Sequence, residues 1–223
     1  MRLTRLALVP VLNHRRRAVE GLSVDFLVLN VLGFIAYALY NIMLFCPTSI
    51  RNAYIDVHET PPAVHCNDVV FSLHALLLTA ASLGQAATYA PGRLRVRTAT
   101  LVFCGLSAIG VLAAGARGPL LLVDVLSAIK IAASLIKYVP QIAENRSRSS
   151  TGGFSFSQVV LDATGSVLSI SQLLLDAFVL HSWRLFVNPA KLLLGVISLL
   201  YDGLLTYQHI SYGGHDDIDE PLL

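Results

Sequence analysis

Charge is what this 223-residue chain has least of: 13% of its residues are Asp, Glu, Lys or Arg, while 55% are hydrophobic. Soluble domains carry about 25% charged residues, so a chain of this length would lack the polar surface that water demands. The mean hydropathy of +0.65 points the same way. The net charge is only +2 and no basic stripe is interleaved with aromatics, which excludes a nucleic-acid partner. Catalytic motifs are missing as well. No GxSxG, HExxH, P-loop or GxGxxG stands in a suitable context, and the seven histidines do not cluster as metal ligands, so the chain reads as a non-enzyme with no cofactor and no metal. Cysteine is scarce. Of the three, Cys104 falls inside an apolar run as an inert thiol, and Cys46 and Cys66 flank one loop where they could pair on an oxidising side.

What is abundant is the apolar run. A membrane-spanning helix needs roughly 20 mainly apolar residues, and six stretches qualify: 26–45, 69–88, 98–116, 120–143, 159–180 and 189–210. A shorter piece, 6–12, reads as the stump of a further helix at the front, with no cleavable signal peptide. The expected class is therefore an all-α polytopic protein in a lipid bilayer. Basic residues favour cytoplasmic loops. Three alternate loops carry Arg15, Arg16 and Arg17, then Arg93, Arg95 and Arg97, then Arg146 and Arg148; the others hold only Arg51, Arg117 and Arg184. That bias places the C-terminus in the cytosol. It also makes the Asn145-Arg146-Ser147 sequon cytosolic and without consequence.

The chain repeats itself. Val9-Pro10 recurs as Val139-Pro140, each followed by a basic loop; Gly21-Leu22-Ser23 matches Gly153-Phe154-Ser155, Leu29-Asn30 matches Leu161-Asp162, and Gly33 matches Gly165. The copies begin an even number of spans apart and share one orientation. This predicts parallel three-helix repeats joined by a linking helix, a 3+1+3 plan: residues 1–88 as the first repeat, 98–116 as the linker, 120–210 as the second repeat and 211–223 as a cytosolic tail. Small transporters built this way hold substrate between the repeats near the midplane. Proline within a span frees backbone groups and permits bending, so Pro10 and Pro140 read as hinges, the plainer alternative being helix ends beside loops.

An ionisable residue inside a span is costly enough to mark function by default. The candidates are Lys130, Lys137, Asp162, Lys191 and Asp202. Lys130 and Lys137 are seven residues apart, nearly two turns, and so project from one face. Their mutual repulsion calls for an anion or carboxylates between them. Snorkelling is the plainer reading of Lys137 and Lys191, and a helix-start carboxylate that of Asp162. Asp124 and Asp176 read as ordinary interfacial charges. Asp68, with His74 a turn and a half later, could sense protons on an acidic lumenal side; a packing histidine is the simpler account.

These elements together, with Lys137-Tyr138-Val139-Pro140-Gln141 intact in the second copy, resemble the PQ-loop transporter family, and within it the lysosomal cystine exporters. The resemblance runs through Gly21–Phe26, Leu29–Phe34, Asn67–Ala75, Ile129–Gln141, Leu161–Gly165, Asn188–Lys191, Tyr201-Asp202 and Gln208-His209. It implies seven helices and proton-coupled export of L-cystine from lysosome or vacuole to cytosol by alternating access. Carried over by position, Asp162 is the main proton-coupling carboxylate and Asp68 a second. Lys130, Lys137, Asn30 and Asp202 line the substrate and gating region, and Gln141 belongs with the Pro140 hinge. Three features depart from the family: Pro10-Val11 lacks the glutamine, the first helix is cut short without the lumenal head before it, and the tyrosine-based sorting signal is absent. The tail instead ends Asp219-Glu220-Pro221-Leu222-Leu223, an acidic dileucine pattern suited to sorting adaptors. A PQ-loop transporter of another amino acid or small solute, or a truncated non-transporting homologue, is the alternative.

Overall fold

The computed structural model describes residues 9–17, 19, 22–59, 61–62, 64–90, 95–152, 156–179 and 189–212. Gly21, Arg93, Gly153, Phe154, Ser155, Arg184 and the 219–223 tail lie outside these residues, as do the side chains of Arg15, Arg16, Asp176 and Lys191. Among the described residues all regular structure is helical: α1 (Val9–Arg16), α2 (Val24–Phe45), α3 (Thr48–His58), α4 (Cys66–Tyr89), α5 (Thr98–Gly115), α6 (Pro119–Ile136), α7 (Tyr138–Arg148), α8 (Phe156–Val179) and α9 (Pro189–Ser211). Four stretches, Val24–Phe45, Cys66–Tyr89, Thr98–Gly115 and Pro119–Arg148, are long and apolar enough to cross a membrane, and α8 adds a shorter apolar run, Val159–Leu175. Large apolar side chains stand outward along these helices, with Leu112 and Phe178 each 74% exposed. Such outward leucine is what lipid, not water, accommodates. Hydroxyls within the spans bond back to their own helix, as Ser82 does to Leu78 and Thr164 to Val160, which satisfies them without water.

Two expectations are corrected. The basic segment 14–16 is not loop but the last turn of α1, and Arg146 and Arg148 likewise close α7; cations at a helix C-terminus complement its dipole. The connection between α2 and α4 holds an eleven-residue helix, α3, and Cys46 and Cys66 on either side of it are free thiols. The run 120–143 falls within one membrane-length helical stretch, Pro119–Arg148, in which a turn at Lys137 separates α6 from α7. Pro140 explains the division: it has no N–H to offer the carbonyl of Ile136, and its ring crowds that carbonyl.

The chain forms two compact units: residues 24–137 in one, 1–23 with 138–223 in the other. In the first, α2 packs against α4 on one side and, around Ala36, Leu126 and Ile129, against α6. Close approach of α2 and α6 depends on Gly33, because a Cβ there would meet Ala133 Cβ at 3.2 Å. In the second unit α8 lies against α9, where Gly195 leaves room for Ile170. The two basic segments end alike. Arg17 (φ 51°) and Ser149 (φ 47°) take the left-handed conformation, and each stands four residues after a buried asparagine, Asn13 and Asn145. The repeat seen in sequence is thus carried into backbone geometry.

Candidate functional site

In the 24–137 unit aromatic rings and two buried asparagines line one stripe of α2. Phe26, Asn30, Phe34, Tyr37 and Asn41 recur every three or four residues and therefore share a face. Lys130 of α6 and Lys137, which caps the C-terminus of that helix, both reach that stripe, as their spacing predicts. The ammonium of Lys137 donates to Asn30 Oδ1 at 3.3 Å and lies 6.0 Å from the Phe26 ring centre. Lys130 Nζ sits 4.1 Å from the centre of the Phe34 ring and 5.3 Å from that of Tyr37. A cation over an aromatic face is attracted by the ring quadrupole, about 2 kcal/mol when desolvated. The two lysines thus occupy separate beds on α2, one amide-lined and one aromatic, which keeps their charges apart.

The same stripe ends at Asp68. Asn41, only 1% exposed, donates to the main-chain oxygen of Asp68 at 3.2 Å. The Asp68 carboxylate accepts the His65 N–H at 2.9 Å, and the His65 ring accepts from the Asp68 N–H, a capping box at the start of α4. His74 is exposed. The partner that Asp68 takes is therefore His65.

In the other unit Asp162 projects from the second turn of the described α8, beyond the first turn to which a helix dipole is confined. Its carboxylate accepts hydrogen bonds from the Tyr138 hydroxyl of α7 and, at 3.1 Å, from Ser198 of α9. Tyr138 also stacks on Tyr201, ring centres 4.9 Å apart. Asp202, 3% exposed, is one turn beyond Ser198 on the same helix and close enough to act electrostatically on Tyr138. Pro140 and Gln141 are buried in the same unit.

Gln141 begins a chain of buried amides. The Ser23 N–H donates to Gln141 Oε1 at 2.9 Å, Gln141 Nε2 to Asn145 Oδ1 at 2.9 Å, Asn145 Nδ2 to Gln208 at 3.2 Å, and Gln208 Nε2 to the Ile142 carbonyl at 3.1 Å. Gln141 and Asn145 are fully buried. Asn145 spends its amide on this chain. Beside it, His209 bonds Thr151 at 2.9 Å and stacks on Phe156.

Sequence reasoning missed several of these partners. Tyr138, two residues before Pro140, carried no charge to attract notice, and Ser198 is an unremarkable hydroxyl in an apolar run. Asn41 could have been found from the i+3/i+4 spacing of the α2 stripe. Asp25 was also passed over. It is 4% exposed and holds the start of α5, accepting from the Arg97 N–H at 2.9 Å and the Thr100 hydroxyl at 2.7 Å, with the Arg97 guanidinium 3.5 Å away.

Comparison with known proteins agrees with this picture. The PQ loop repeat matches residues 10–50 and 122–182, which include both prolines. Cystinosin of Bos taurus is 38% identical over 207 residues, covering 89% of this chain and 56% of the bovine protein. The cystinosin homologue of Arabidopsis thaliana is 35% identical, covering 89% of this chain and 77% of the plant protein. A Saccharomyces cerevisiae protein named as a cystine transporter is 27% identical, covering 92% and 88%. The chain spans about half the length of the animal relatives it matches. With its paired PQ-loop segments, its apolar helices and this extent of identity, the chain belongs to the cystinosin family of PQ-loop membrane proteins.

Proposed function

We propose that the chain carries L-cystine together with protons out of the lysosome or vacuole into the cytosol by alternating access, with its C-terminus cytosolic. The observation that carries this reading is the bonding of Lys137 to Asn30 inside an apolar helix pair, alongside a name, cystine transporter, borne by a family relative. Cystine is a double zwitterion: its carboxylates call for cations and its ammonium groups for carboxylates or carbonyls. Lys130 and Lys137 supply the first, and Asn30, Asp162 and Asp202 the second.

Asp162 is the proposed proton carrier: among the described residues its carboxylate is held by two hydroxyls, Tyr138 and Ser198, which carry no permanent positive charge. Asp68 is proposed as a second protonation site. Each pH unit across the membrane is worth about 1.4 kcal/mol per proton, so a gradient of about two units drives roughly hundredfold accumulation. Pro10, Pro140 and Gln141 serve as hinge elements in this reading, supported at Pro140 by the turn at Lys137 that separates α6 from α7. The acidic dileucine tail, 219–223, is assigned to sorting adaptors.

The test is uptake of labelled cystine into vesicles bearing the full chain, with and without an imposed pH gradient. Gradient-dependent uptake that Lys130→Ala or Lys137→Ala reduces at least tenfold supports the reading. Uptake of a sugar or cationic amino acid in place of cystine overturns the substrate, and no uptake of any solute overturns transport.

A further inference from the structure

We propose that Tyr138 is the positioning residue that ties Asp162 to the proline-kinked helix α7, so that loading a proton on Asp162 loosens that tie and passes the event to the hinge. The inference rests on the proton-coupling reading of Asp162 and extends it to Tyr138 and Ser198, to which the sequence pattern assigns no role in proton coupling. The geometry is specific. The Tyr138 hydroxyl donates to the Asp162 carboxylate, which also accepts from Ser198. Stacking on Tyr201 fixes the direction of the Tyr138 ring. Tyr138 is 4% exposed, so water does not replace the bond when it weakens. It is also the first residue of α7, two residues before Pro140, where the helix has already lost a backbone bond.

The groups around this corner can be named. From α7 there is Tyr138; from α9 there are Ser198, Tyr201 and Asp202, and further along His209 stacks on Phe156 near the start of α8. Hydrogen bonds to an ionised acceptor are about twice as strong as neutral ones. While Asp162 is ionised, Tyr138 and Ser198 therefore hold α7 and α9 firmly onto α8. Once the carboxyl takes a proton, the Tyr138 hydroxyl donates to a neutral acid and the grip falls. Proton occupancy is thereby converted into the strength of a helix–helix tie at the kink.

The experiment follows the carboxylic C=O stretch of the full chain in lipid by infrared difference spectroscopy across a pH series, with the band assigned by its loss in Asp162→Asn. Removing a donor that favours the ionised form makes the carboxyl protonate at higher pH. Tyr138→Phe should move the band's midpoint up by about one pH unit, and should move the pH midpoint of cystine uptake in the same direction. A band midpoint that coincides with the parent's overturns the proposal, as does a shifted band with an unshifted uptake profile. If Tyr138→Phe does not fold, Ser198→Ala removes the other donor; a smaller upward shift supports the arrangement and no shift overturns it. Asp162→Asn protein that retains gradient-driven uptake overturns the proton-coupling reading instead, a result separable from the infrared outcome.

Discussion

The ammonium of Lys137 lies 3.3 Å from Asn30 Oδ1, a residue whose repeat counterpart is Asp162. One position of the duplicated unit thus holds a neutral amide against a cation, while the matching position holds a carboxylate against two hydroxyls. An asparagine gives the lysine a partner without neutralising it. Replacing Asn30 by Ala should strip that partner, costing about 1.5–3 kcal/mol as expected for a hydrogen bond to a charged group. Asn30→Asp should instead form an ion pair and hold Lys137 fast. Both variants should lower cystine uptake, but only Asn30→Ala should lower the melting temperature, as measured by thermal unfolding in detergent.

Gly33 marks the closest approach of α2 and α6. A Cβ at this position would lie 3.2 Å from Ala133 Cβ and 3.8 Å from Lys130 Cδ. Gly33→Ala should therefore cost about 1 kcal/mol, and Gly33→Val about 1–3 kcal/mol through overpacking. The double variant Gly33→Ala with Ala133→Gly should recover most of the loss. Recovery would place the cost in this contact and not in helix propensity, which favours alanine.

The amide chain Gln141–Asn145–Gln208 is fully bonded, so removing one member leaves its neighbours unsatisfied. Asn145→Leu should destabilise by about 1–3 kcal/mol, the penalty for a buried orphaned polar group. Adding Gln208→Leu should cost less than the sum of the two single changes, because residues of one network couple. Chemical denaturation of the four proteins in the cycle provides the check.

Asp25 holds the first turn of α5 through a main-chain N–H and a hydroxyl. Asp25→Ala should lose about 1–3 kcal/mol, Asp25→Asn less because it keeps an acceptor, and Thr100→Ala least. Amide hydrogen exchange at residues 97–100 should rise most in Asp25→Ala and least in Thr100→Ala.

Tyr54 on α3 lies outside the spanning helices. Burial, and then the Asp124 carboxylate, raise its phenol above the ordinary value of 10.0. The folded state therefore keeps this proton at a pH where the unfolded chain has lost it. The stabilisation is present below the unfolded value and is lost as pH rises through the folded one. Alkaline pH should loosen α3, and Asp124→Asn should bring the titration down. Tyrosinate absorbance, with Tyr54→Phe protein subtracted, measures both.

The membrane class followed from sequence alone, because lipid imposes a length and an apolarity that no soluble fold needs. The repeat was equally legible, since Pro140, Asn30/Asp162 and Gly33/Gly165 keep their order whatever the packing. The common face of Lys130 and Lys137 was readable too, from helical periodicity. What periodicity cannot state is which neighbour a side chain meets. Only tertiary packing set Lys130 on Phe34 and Tyr37, paired Asp68 with His65, enclosed Asp25 and brought the Tyr138 hydroxyl to Asp162. A hydrogen bond between distant segments depends on how two helix faces approach, and that approach is decided by shape, as at Gly33 and Gly195, rather than by any local pattern of residues.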